Sequence, residues 1–121
     1  MSMKSQRKGR SGELELAAIL GRHGFTIIPG APLNYGTEPD LSGLPGIHIE
    51  VKRVERLNIS EAMDQAICDA LRFRDGLPAL FHRRNRQPWL VTMRLDDWIR
   101  VYRKALSSAD RKNDQNEPGS K

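Results

Sequence analysis

A chain of 121 residues, 38% hydrophobic and 29% charged, can build one domain around one core but not two. No window nears the roughly 18 consecutive apolar residues of a membrane span. The N-terminus lacks the apolar stretch of a secretory signal, and the single cysteine, Cys68, excludes a disulfide framework or a zinc site of several thiolates. Twenty Lys and Arg against fifteen Asp and Glu give a net charge of +5, so the expectation is a cytoplasmic protein with an anionic partner and no membrane.

In chain order, residues 1–7 read as a flexible basic N-terminus, residues 8–106 as the folded domain, and residues 107–121 as a disordered polar tail with almost nothing apolar to bury. Gly12 to His23 carries Leu14, Leu16, Ala17, Ala18, Ile19 and Leu20 at helical spacing, with Ser11 as candidate cap and Gly24 as the stop. Phe25 to Ile28 is a short β-prone run, Pro29 to Pro39 a loop, and Asp40 to Ser42 a second short strand before a turn at Gly43 to Gly46. Ile47 to Lys52 alternates, which places Ile47, Ile49 and Val51 on one face and His48, Glu50 and Lys52 on the other. A helix over Glu61 to Asp75, capped at Asn58 or Ser60 and stopped at Gly76, is followed by strands at Ala79 to Phe81 and Trp89 to Met93. A last helix spans Leu95 to Leu106. The order is α-β-β-β-α-β-β-α. A helix leading from one strand to the next implies a parallel crossover, hence an α/β domain with a mixed central sheet flanked by helices.

The stretch that carries chemistry is Pro39-Asp40, nine residues, then Glu50-Val51-Lys52. Glu50 and Lys52 project from one strand face, and Asp40 ends the unit before them. Two carboxylates held close repel unless a divalent cation neutralises them, and hard oxygen ligands suit Mg²⁺, with Mn²⁺ as a substitute. A lysine beside such an ion can orient the attacking water or offset charge developing on a phosphate. His48 shares the polar face and reads as a hydrogen-bonded or exposed histidine, and His82 as an exposed one bordering the basic turn. Basic residues group at Arg7, Lys8 and Arg10, at Arg53 and Arg56, and at Arg83, Arg84 and Arg86, as expected of a surface that grips phosphate without reading bases.

P-D…E-x-K, as Pro39-Asp40 and Glu50-Val51-Lys52, resembles the PD-(D/E)XK nuclease superfamily. The opening from Arg7 to Leu16 resembles archaeal-type Holliday junction resolvases and their small phage-borne relatives. The resemblance implies a restriction-endonuclease-like fold and Mg-dependent endonuclease activity on branched DNA, carried out by a homodimer. It also implies a catalytic set of Glu13, Asp40, Glu50, Lys52 and Gln65, with Glu13, Asp40, Glu50 and the Val51 carbonyl as metal ligands. Where such resolvases carry a serine in the loop before the aspartate, this loop offers Asn34, Tyr35 and Thr37. The alternatives are a nicking, flap-cutting or repair nuclease, or a non-catalytic DNA-binding protein of the same fold.

Overall fold

The computed structural model describes residues 3–31 and 37–116, with side chains over residues 10–31 and 37–110. Its elements are α1 (Met3–Arg22), β1 (Ile28–Pro29), β2 (Leu41–Ser42), β3 (Ile47–Arg53), α2 (Ile59–Phe73), β4 (Leu77–Arg83), β5 (Leu90–Thr92) and α3 (Leu95–Asn116). The order is the one the sequence predicts. The five strands lie in the sheet in chain order, antiparallel except for β3 beside β4. Their parallel pairing pairs Glu50 with Leu80 and Lys52 with His82, and α2 makes the crossover.

Alternation along β3 divides the interior in two. Ile49 and Val51 join Leu16, Leu41, Ala79 and Phe81 under α1, while Leu80 packs with Ala62 and Met63 under α2. His48 and Glu50 are therefore also covered by α2, and both are buried. Gly12 lets α1 approach β3 closely, since a Cβ there would lie 2.9 Å from Arg53 Cβ.

The termini of the elements depart from expectation. The helix expected from Gly12 begins at Met3, so Ser11 lies within α1 and caps nothing. α3 continues to Asn116, past the expected end at Leu106, so the described parts of both expected tails are helical. Adding residues to an existing helix requires no new nucleus, and neither segment contains proline. Phe25 donates its N–H to the Leu20 carbonyl and completes the helix end, which delays β1 to Ile28. Asn58 caps α2 by accepting from Glu61 N–H at 3.0 Å, and Arg74 in the left-handed region ends it ahead of Gly76. β4 is longer than expected at both ends. His82 thus lies inside an interior strand, buried and 2.8 Å from Thr92 Oγ1, rather than exposed.

Candidate active site

The short antiparallel contact of β2 with β3 brings the first carboxylate to the second. Leu41 pairs with Ile49, and one further step of that register sets Asp40 opposite Glu50. The tight connection between the strands requires Gly43, whose φ is +129° and where a Cβ would fall 2.1 Å from the Thr26 carbonyl oxygen. The Val51 N–H then hydrogen-bonds the Asp40 carboxylate, and the Lys52 charge reaches it. Val51 itself anchors its side chain in the core under α1. Glu13 extends from α1 at the edge of the stripe formed by Gly12, Leu16 and Leu20, and its charge is felt together with those of Asp40 and Glu50.

These groups share an electrostatic strain. Burial, then repulsion by Asp40, pushes Glu13 up to about 7 against the partial relief of Arg10, whose Nη1 lies 3.5 Å away. Asp40 is also raised by burial, opposed by the Val51 N–H and Lys52. Glu50 is raised by burial and by Asp40 and Asp69, against a hydrogen bond to His48. Burial lowers the proton affinity of His48, but its hydrogen bonds to Glu50 and Asp75 outweigh that and raise it overall. Three carboxylates pushed up together form a pocket short of positive charge. Hard carboxylate oxygens suit a divalent cation, but among the described residues the three ligand atoms that fall within 4.8 Å of one another come from His48, Glu50 and Asp69, so Glu13 and Asp40 are linked to Glu50 here by charge and not by ligand distance.

Glu13 and Glu15 separate cleanly. Glu15 is occupied by Arg53, Arg83 and the Trp89 indole N–H, at 3.3 Å from Arg53 Nε and 3.0 Å from Trp89 Nε1. Arg53 and Arg83, expected to grip DNA, thus clamp α1 to the ends of β3 and β4, and Arg53 Nε is buried without an aligned hydrogen bond. Arg56 and Arg84, by contrast, line one open cleft of ≈ 330 Å³ with Glu55, Asn85 and Gln87. Arg10 donates to the Gly30 carbonyl at 2.6 Å. The side chains of Arg7 and Lys8, and Asn34 and Tyr35 in the loop, lie outside the described residues.

Gln65 is exposed on α2. One turn further along the same side lies Asp69, whose charge acts on both Asp40 and Glu50. Sequence reasoning missed Asp69, and with it Asp75, which accepts from His48 at 2.9 Å. The signal available was spacing: α2 returns antiparallel to β3, so moving four residues beyond Gln65 moves back along β3 from Lys52 toward Glu50.

No family model matches the chain, and no curated protein matches it. Among solved structures it is similar to the 1.6 Å structure of Archaeoglobus fulgidus Hjc, a Holliday junction resolvase from an archaeal hyperthermophile. The TM-score is 0.53 at 24% identity, over 71% of this chain and 72% of that one. This chain has the fold of that resolvase. The α/β architecture with a five-stranded mixed sheet between helices is thus restriction-endonuclease-like, as the P-D…E-x-K motif implied.

Proposed function

We propose that the chain is a divalent-metal-dependent DNA endonuclease that hydrolyses phosphodiester bonds, with branched DNA such as a four-way junction as its substrate. The observation that supports this reading is the pairing of Leu41 with Ile49, whose continuation by one residue brings Asp40 toward Glu50, together with the mutual charge influence of Asp40 and Glu50 and of Glu13 with both. The likeness of fold to a Holliday junction resolvase supports the choice of substrate.

Asp40, Glu50, Glu13 and the Val51 carbonyl would hold Mg²⁺ or Mn²⁺. When bound, the ion polarises the scissile phosphate and lowers the pKa of a water. Lys52 brings a fixed positive charge to the rim, where it orients that water and offsets charge developing on the phosphate. Arg56 and Arg84, at the C-terminal ends of β3 and β4, hold the flanking backbone through phosphate contacts, with Arg7, Lys8 and Arg10 contributing from α1. Arg53 and Arg83 keep Glu15 neutralised and α1 in place. Fourteen of the twenty basic residues are arginine, whose planar fork suits phosphate. A junction presents two strands to cut, so the working unit is a homodimer with one site per strand.

The deciding experiment offers four-way junction, flap, linear duplex and single-stranded DNA with Mg²⁺, Mn²⁺ or EDTA. Metal-dependent cutting concentrated on the junction is expected. Cutting concentrated on the flap or a nicked duplex would replace the substrate, and tight, salt-sensitive binding without product in either metal would replace the enzyme with a DNA-binding protein.

A further inference from the structure

His48 is 1% exposed, and it is oriented from three sides. Its ring stacks on Phe73 with centroids 6.3 Å apart, and its Nδ1 lies 2.9 Å from both carboxylate oxygens of Asp75. Its Nε2 points along β3 to Glu50 Oε1 at 3.0 Å. Asp69 closes the group from α2, so that one ligand atom each from His48, Glu50 and Asp69 falls within 4.8 Å of the others. Histidines that ligate metals are held in this manner: the distal N–H is donated to a carboxylate, which fixes the tautomer and turns the other nitrogen's lone pair toward the ion. With Nδ1–H donated to Asp75, Nε2 is the nitrogen that faces Glu50, and an ion bound there would take the place of the Nε2 proton that otherwise hydrogen-bonds Glu50. The 3.0 Å between the two atoms matches adjacent ligands on an octahedral cation with bonds of about 2.1 Å.

We propose that His48 Nε2, Glu50 and Asp69 form a binding site for a divalent transition-metal ion, sharing Glu50 with the Asp40 side of the centre. The inference rests on Glu50 being a metal-binding carboxylate, and adds to that reading a second position and a metal class. An imidazole nitrogen is a poor partner for Mg²⁺ and a good one for Mn²⁺, Fe²⁺, Co²⁺ or Zn²⁺. The position under α2 therefore selects a transition metal, while the all-oxygen set around Asp40 accepts Mg²⁺. Glu50, which faces His48 and feels the charges of Asp40 and Asp69, would serve both positions.

The test titrates Co²⁺ alone into the full-length protein and follows its visible absorption, with Mn²⁺ binding measured in parallel by calorimetry. Wild type is expected to bind Co²⁺ with a spectrum that excess Mg²⁺ does not abolish. His48→Asn is expected to lose that spectrum and at least about tenfold in Mn²⁺ affinity. Asp69→Asn, a change in a half-buried helix side chain that leaves the core intact, is expected to do the same, while Asp40→Asn keeps the Mg²⁺-resistant spectrum. Unchanged spectrum and affinity in both His48→Asn and Asp69→Asn would overturn the site. A signal lost only in Asp40→Asn would also overturn it, while leaving the nuclease reading intact. Conversely, His48-dependent binding in a protein that cuts no DNA with any metal would remove the nuclease reading and leave this site standing.

Discussion

Burial raises the proton affinities of Glu13, Asp40 and Glu50, with Asp40 adding to the rise at Glu13 and Glu50 and Asp69 to that at Asp40 and Glu50, and this fixes the sign of several measurements. A carboxylate whose folded pKa lies above its unfolded value binds protons more tightly when folded. In EDTA, stability should then fall as pH rises from about 4.5, the ordinary value for Glu13, to about 7, its folded value. Thermal melts across this window should show the decline, a divalent cation should reduce it, and Glu13→Gln should flatten it. A melting temperature in EDTA that rises steadily from pH 4.5 to 7 would contradict the assignment. Asp40→Asn removes one of the repelling charges while its amide oxygen can still accept from the Val51 N–H. That variant should melt no lower than wild type in EDTA at alkaline pH, yet lose about 100-fold or more in metal-dependent cleavage. Lys52→Ala should lose cleavage similarly while keeping metal binding, because an ammonium has no lone pair with which to ligate a cation.

Among the elements, order and faces were legible because hydrophobic period survives in a single sequence. Ile47 to Lys52 alternates strictly, and the structure puts Ile49 and Val51 under α1 and His48 and Glu50 under α2 as that alternation requires. What stayed illegible depends on which elements pack against which. Arg53 and Arg83 read as surface charge until α1 brings Glu15 between them, and Asp69 reads as an ordinary helix acid until α2 lies back along β3. Helix ends were misplaced because neither end carries a residue that forbids continuation. Gly12 was read as the start of a helix, whereas it is an interior residue at the crossing with β3. This makes a discriminating test. Glycine to alanine in a free helix interior stabilises by about 1 kcal/mol. Here the new methyl meets Arg53 Cβ at 2.9 Å, so Gly12→Ala should instead destabilise, by about 1–2 kcal/mol in denaturant unfolding. A stabilised variant would mean that α1 does not cross β3 this closely.

Across the molecule as a whole, charge and exposed apolar surface are distributed differently. Setting Glu13, Asp40 and Glu50 aside for cations leaves twenty basic residues against twelve acidic ones, a surface more cationic than the net +5 suggests. The apolar excess lies elsewhere. α3 is tied down near its start, where buried Asp97 accepts from Arg94 at 2.8 Å, but beyond this it packs sparsely on the domain. Leu95, Trp98, Val101, Tyr102 and Leu106 all remain exposed on it, with Trp98 and Tyr102 stacked on each other at 5.2 Å, and Leu90 and Val91 of β5 are exposed as well. An apolar stripe of this kind exposed on a folded domain marks an interface. The two-strand cleavage proposed above requires a second copy, and a stripe along a single helix is self-complementary about a two-fold axis, as an isologous dimer needs. Light scattering at micromolar concentration should therefore give twice the 13.7 kDa chain mass. The double variant Trp98→Lys, Tyr102→Lys should give the single mass with an unchanged circular-dichroism spectrum. Coordinated cutting of both strands of a junction should then turn into independent nicks, while the number of nicks per chain at saturating DNA stays close to wild type, because neither residue touches the carboxylate centre. A monomeric wild type, or a double variant that remains dimeric, would assign the stripe to something other than self-association and leave the carboxylate centre untouched.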